Sequence, residues 1–282
     1  MPDQSGRTFV VTGANSGLGA SAARALAERG GSVVLACRDT GKGERVAQHL
    51  PGEVTVRRLD LADLASVRAF AAATVTVDVL LNNAGVMAVP KATTVDGFEM
   101  QFGTNFLGHF ALTGLLLPKI TDRVVTLSSV AHRVGTIDLD DLNWRRRRYR
   151  RWAAYGQSKL ADLMFAYELQ RRLTATGSTV RSLAAHPGFA ATELQSHTES
   201  IRDSIMAIGT HLYAQSAAMG ALPGLCAATM PTAAGGDYFG PDGIGQTRGH
   251  PHRVGSSAAS KDEAVAAELW IRAERLTGVQ FP

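Results

Sequence analysis

The sequence predicts an α/β protein: a Rossmann-type, doubly wound parallel sheet of about seven strands with helices on both faces. Three observations predict it. Short runs dense in Val and Leu alternate with amphipathic stretches of helix length along the chain, which is the pattern of successive βα units. A glycine cluster, Thr12–Gly19 (TGANSGLG), sits between the first apolar run and the first amphipathic one. Gly/Pro-rich pieces such as HPGFAATE and YFGPDGIGQTRGHPH follow apolar runs rather than interrupt them. Right-handed crossovers then place helices on both sides of one sheet.

In chain order, strands are predicted at Thr8–Gly13, Ser32–Cys37, Val54–Leu59, Val77–Asn83, Arg123–Ser129 and Thr179–His186, with Tyr238–Gly240 as a seventh. Their composition suits strands covered on both faces. Helices are predicted at Gly17–Arg29, where Asn15 and Ser16 are good N-cap types, and at Asp63–Ala73, Thr94–Ile120 and Tyr155–Leu173. No linker, low-complexity tract or internal repeat divides the chain. One domain over 1–282 is expected.

At 282 residues and 45% hydrophobic content, the chain can bury a large core. Its net charge is +4, but the run Arg145–Arg151 alone contributes +6, so the remainder sums to −2. The basic character is therefore local and is a weak argument for nucleic acid. Cys37 and Cys226 stand in unrelated contexts without zinc-site spacing, so neither a disulfide framework nor a metal is expected. The start, MPDQSGRT, is polar, and the most apolar segment, Phe106–Leu117, is short and contains His109. No transmembrane anchor and a cytoplasmic location are expected.

The glycine cluster carries the first chemical signal. A turn from strand to helix offers backbone N–H groups and the positive end of the helix dipole to a phosphate. Gly13 permits the tight turn, Gly17 the approach of a pyrophosphate, and Gly19 close packing of helix on sheet. The spacing is GxxxGxG, and no Lys-Ser/Thr pair follows as a P-loop requires. At the end of the second strand, where NAD-binding folds place a carboxylate for the ribose hydroxyls, stand Cys37 and Arg38. Arg38, with Lys42 a helical turn on, favours a 2′-phosphate. NADP(H) is therefore expected over NAD(H), unless Asp39 simply pairs with Arg38.

With TGANSGLG, NNAG (Asn82–Gly85), YGQSK (Tyr155–Lys159) and HPG (His186–Gly188) in this order, nearly the whole chain resembles the short-chain dehydrogenase/reductase family. ACRD, SSVAH, HPGFAATE and YFGPDG resemble its retinol-dehydrogenase-like branch. The resemblance implies an NADP(H)-dependent oxidoreductase with Asn105, Ser129, Tyr155 and Lys159 as catalytic residues. Tyr155 would be the general acid–base, and Lys159 would also hold the nicotinamide ribose. Separated by four residues on one helix, the two share a face. A free phenol is a poor base at neutral pH, and an adjacent ammonium favours its ionised form. Ser129 would steady the substrate oxygen. Its neighbour Ser128 is the alternative, since successive strand side chains point to opposite faces. Asn105 would hold a water linking Lys159 to solvent.

By the same resemblance the cofactor would be lined by Gly13, Asn15, Ser16, Gly17, Leu18, Gly19, Arg38 and Lys42. Asp60 and Leu61 would lie at the adenine, and Asn83, Ala84 and Gly85 on the adenosine side. Pro187, Gly188 and Thr192 would hold the carboxamide end.

The stretch between Ser129 and Tyr155 is long for this family and carries IDLDDLNWRRRRYRRW. The favoured reading is a solvated approach to the catalytic helix, with Trp144, Tyr149 and Trp152 packed inward. An anionic-lipid or partner surface and nucleic-acid binding are the alternatives, and no nucleic acid is expected. Segment 188–220 contains IRDSIMAIGTHLYAQSAAMG and reads as a substrate lid with an adaptable apolar wall. A small apolar carbonyl or alcohol substrate follows, and the family's habit makes a homo-oligomer possible. The reading from a different class is a catalytically silent dinucleotide-binding sensor or scaffold.

Overall fold

The computed structural model describes residues 1–189 and 215–282. Its sheet runs β3-β2-β1-β4-β5-β6-β7-β8. The strands are β1 (Thr8–Thr12), β2 (Ser32–Cys37), β3 (Val54–Arg58), β4 (Val77–Asn82), β5 (Ile120–Leu127), β6 (Arg181–Ala185), β7 (Tyr238–Pro241) and β8 (Pro251–Arg253). All neighbours pair parallel except β7 with β8. The helices are α1 (Gly17–Ala27), α2 (Thr40–Ala47), α3 (Leu64–Ala72), α4 (Gly108–Leu116), α5 (Arg151–Ala175), α6 (Ala217–Thr229) and α7 (Glu263–Thr277). The chain winds outward from β1 to β3, then crosses to β4 and winds the other way. This opens a crevice where β1 and β4 diverge at their carboxyl ends.

Alternation along the strands divides the core. Val10, Leu80 and Val124, aligned across β1, β4 and β5, point into an aromatic layer containing Phe102, Phe106, Phe110, Phe165 and Trp270. Phe9, Val11, Val79, Leu81 and Val125 point to the opposite layer, where Leu26 of α1 and Leu225 of α6 cover them. The seven predicted strands are present, and β8 is an eighth. β3 departs from the expectation of two covered faces: Thr55 and Arg58 are exposed, because the strand lies at the sheet's edge. The helix predicted from Thr94 begins only near Met100. Thr93 and Glu99 instead form a bridge around a turn with Gly97 at φ 80°. The helix then passes through a π-turn, Phe102–Leu107, before α4.

Helix α5 lies close to the turn after β5. Gly135 and Gly156 meet backbone to backbone there, and a Cβ on Gly135 would be driven into the Gly156 carbonyl. Gly135 has an ordinary φ of −73°, so the obstacle is steric rather than conformational. The substitution Gly135→Ala is expected to cost about 2 kcal/mol through overpacking, read as a lower denaturant midpoint. It would also displace the turn of α5 that carries Tyr155.

Candidate active site

Every predicted cofactor residue from Gly13 to Gly85 lines one crevice of about 260 Å³ at the β1/β4 switch point. Gly13 and Gly17 have φ of 65° and 52°, the left-handed region where glycine carries no side-chain penalty. A Cβ on Gly13 would lie 2.9 Å from the Ala84 Cα, and one on Gly19 would lie 2.6 Å from Asn83 Nδ2. The glycines thus let the first loop and the Asn83–Gly85 loop touch. Ser16 precedes α1 without a side-chain capping bond, so the first-turn amides stay available to an anion. These features fit a dinucleotide whose diphosphate rests on the α1 terminus.

At the outer end, Arg38 and Lys42 line the crevice with Asp39. Asp39 caps α2 by accepting from the Lys42 amide at 2.9 Å, and no Arg38–Asp39 ion pair forms among the described residues. Asp60 Oδ1 accepts from the Ala62 amide at 3.0 Å, which fixes the turn after β3.

At the inner end, Tyr155 and Lys159 share one face of α5 and are both buried, with the Lys159 Nζ 6.0 Å from the Tyr155 ring centroid. A Cβ on Gly85 would lie 3.2 Å from Asn105 Oδ1 and 3.8 Å from Lys159 Nζ, which joins the two ends of the crevice. Lys159 donates to the Leu127 carbonyl at 2.9 Å and to Asp162 Oδ2 at 2.8 Å. Burial pulls the ammonium's pKa down, but the Asp162 carboxylate and Tyr155 outweigh it and raise it. Burial also pushes the Asp162 carboxyl up to about 6 against the attraction of Lys159.

The two serines separate as alternation requires. Ser128 is buried and donates to the Lys159 carbonyl at 2.7 Å. Ser129 is half-buried, caps the short turn Val130–Val134, and accepts from the Ala131 amide at 3.2 Å. Both follow β5 rather than end it. Asn105 sits in the π-turn, a deformation common at functional sites. Its side chain accepts from the Val86 amide at 2.8 Å and donates to the Val86 carbonyl and to Ser158 Oγ, each at 2.9 Å.

Gly188 follows β6 with φ 68°, and its amide donates to His186 Nδ1 at 3.2 Å. The Pro187 carbonyl accepts from Gln215 at 2.6 Å. Thr192 and most of the expected lid 188–220 lie outside the described residues.

Three residues that the sequence pattern did not assign stand beside this set. His109 is fully buried and bridges the Asn105 carbonyl at 2.7 Å and Thr12 Oγ1 at 2.9 Å; burial takes its pKa down to about 3. Thr12 Oγ1 in turn accepts from the amides of Asn83 and Ala84 at 2.9 Å. Asp162 is the third. The available signal was a lone polar group in an apolar helical stretch, His109 in FLGHFALTG and Asp162 in KLADLMF.

The arginine run is held locally. Asp141 accepts from the amides of Arg145, Arg146 and Arg147, and the Arg147 guanidinium lies 3.7 Å from the centroid of the Trp144 ring. Trp144 is buried and Tyr149 half-buried, as expected. Trp152 is not: it is 49% exposed, because it occupies the first turn of α5, where only its edge meets the Tyr155 ring. Among the described residues no cluster of three potential metal ligands occurs, and no helix is long and apolar enough to cross a membrane.

Residues 7–202 match the family model for short chain dehydrogenases. Human retinol dehydrogenase 13 is 46% identical over 98% of this chain and 86% of its own length. Mouse polyprenol dehydrogenase is 40% identical over 99% and 86%. The crystal structure of an uncharacterised protein from Mycobacterium paratuberculosis is 54% identical, with a TM-score of 0.88, covering 100% of this chain and 97% of that one. The chain belongs to the short chain dehydrogenases, oxidoreductases that bind NAD(H) or NADP(H).

Proposed function

We propose that this chain is an NADP-preferring oxidoreductase that interconverts an apolar alcohol and its carbonyl compound, with Tyr155 as general acid–base. The observation that carries the reading is the buried ammonium of Lys159, on the Tyr155 face of α5 and against the Gly85 end of the dinucleotide crevice. The bound dinucleotide would supply or accept the hydride at the carbonyl carbon. The Tyr155 hydroxyl gives its proton to the carbonyl oxygen in reduction, and its phenolate takes a proton from the alcohol in oxidation. Lys159 favours the charged form of the phenol and holds the nicotinamide ribose. Ser129, whose hydroxyl is not buried in helix contacts as that of Ser128 is, hydrogen-bonds the substrate oxygen. Asn105 supports the loop at Val86 and orders water toward Lys159. Pro187, Gly188 and Thr192 would hold the carboxamide.

The apolar substrate class draws support from the two relatives named for retinol and polyprenol. The preference for NADP(H) draws support from Arg38 and Lys42 at the crevice's outer end, where Asp39 is occupied as a helix cap. A guanidinium there would bind a 2′-phosphate through charge-assisted bonds and gain much less from a bare hydroxyl pair.

Two measurements test the reading. A Tyr155→Phe protein is expected to bind NADPH with unchanged affinity and to lose at least about a hundredfold in turnover across a panel of long-chain aldehydes and alcohols. Normal turnover by that variant removes Tyr155 from the mechanism. An Arg38→Ala protein is expected to lose about tenfold or more in NADPH affinity and little in NADH affinity, by fluorescence titration. Equal losses would show that Arg38 does not read the phosphate.

A further inference from the structure

The buried pair behind Tyr155 has a consequence for how the reaction depends on pH. Lys159 has three N–H donors. One goes to the Leu127 carbonyl and one to Asp162 Oδ2, which leaves a single donor for the crevice. Both side chains are almost wholly withdrawn from solvent, at 6% and 2% exposure. Asp162 Oδ1 is buried and has no hydrogen-bond partner among the described residues. A carboxylate with one satisfied oxygen and one orphan, in an apolar stretch, is an expensive arrangement. Its partner is the ammonium whose field the proposed mechanism depends on.

We propose that Asp162 is a positioning residue for the oxidoreductase reaction: its carboxylate fixes the Lys159 ammonium against the end of β5 and offsets its charge as felt at Tyr155, so that it sets the pH range over which Tyr155, as phenolate, can take a proton from an alcohol. The inference rests on the proposed acid–base role of Tyr155 and extends it.

The sign follows from electrostatics. A cation beside the phenol favours the phenolate, and an anion disfavours it. Asp162 lies seven residues, two helical turns, beyond Tyr155 on the same face of α5, roughly 10 Å along the axis. At that range, in a low-dielectric site, the carboxylate's field still opposes that of the ammonium. The other groups around the pair do not cancel it. His109 of α4 is neutral, since burial holds it at about 3. Tyr238 of β7 stays protonated, because burial raises its phenol. From the end of β5 and the residue after it come the Leu127 carbonyl and the Ser128 hydroxyl, neither of which titrates. The carboxyl of Asp162, pushed up to about 6, is thus charged at neutral pH and loses its offset in mild acid.

The test is the rate of octanol oxidation with NADP⁺ from mildly acidic to alkaline pH. For Asp162→Asn, which is nearly isosteric and keeps an acceptor for Lys159, the rising limb of the profile should move toward acid. Wild type should also show an inflection near 6 that the variant lacks. Superimposable profiles, or a move toward alkali, overturn the proposal.

An infrared titration of the full chain needs no turnover. A protonated-carboxyl band should appear in wild type as pH falls through about 6, and in Lys159→Met its midpoint should rise, because the carboxylate has lost its cation. A midpoint unmoved by that substitution overturns the pairing even if Asp162→Asn fails to fold. Normal turnover by Tyr155→Phe, by contrast, removes the acid–base reading and leaves this titration to decide the pairing separately.

Discussion

One hydroxyl fixes the relative placement of the two ends of the crevice. Thr12 ends β1, and its Oγ1 meets the amides of Asn83 and Ala84 and the ring of His109. The Thr12 hydroxyl also stands 3.4 Å from the Leu81 carbonyl, but the His109 ring is the nearer partner at 2.9 Å. The Asn105 carbonyl only accepts, so His109 Nδ1 must carry the hydrogen. Nε2 then accepts from the Thr12 hydroxyl, whose lone pairs are left for the two amides. The π-turn with Asn105, the loop Asn83–Gly85 and the glycine turn after β1 are locked by this one chain of bonds. Because all of its members are buried or half-buried, a missing link would leave a donor or acceptor dry, which costs more than the bond itself contributes. The low basicity of His109 keeps this chain intact, since a second ring proton would point at a hydroxyl whose lone pairs are already used.

Much of the fold was legible because a sheet covered on both faces writes itself as Val/Leu runs, and β1, β2, β4 and β5 are such runs. The failures have physical causes. β8 is three residues of Pro-His-Arg at an edge, too short and polar to register as a strand. Helix α6 contains Pro223 in GALPGLC, and its small apolar residues show no polar face because it packs against the sheet and α1. The helix before α4 starts later than its helical spacing suggests because Gly97 turns the chain first.

The candidate site was legible to a different degree at its two ends. Glycines advertise themselves: the crevice from Gly13 to Gly85 requires residues without Cβ at contacts that the sequence already spaces. Tyr155 and Lys159 are readable from the resemblance of YGQSK to the family's motif, and their helical spacing puts them on one face. What surrounds them is not. Asp162 pairs with Lys159 by ordinary i,i+3 geometry, but the same spacing on an exposed helix is worth little. Only burial, a tertiary property, turns it into a strong coupling. Ser128 and Ser129 likewise differ only in tertiary contacts, the first donating to the Lys159 carbonyl of α5 and the second capping the turn that follows.

The arginine segment illustrates how charge can mislead when it is counted rather than located. Its anchor is an acid: Asp141 gathers three successive amides, a nest of the kind that binds anions, and the guanidinium of Arg147 closes over Trp144 and reaches Gln157. Gln157 in turn bonds the Leu142 carbonyl at 2.8 Å, and Gln101 binds Tyr149 and the Arg151 carbonyl at 2.9 Å each. These bonds fasten the first turns of α5 to the segment before it and to the π-turn. The positions of Tyr155 and Asn105 are therefore set from both sides, by the Thr12–His109 chain below and by this strap above. Arg145, Arg146, Arg148 and Arg150 stay in water, where a charge costs little to keep. A buried carboxylate in a ring of amides, not the density of arginine, is what gives the segment its shape.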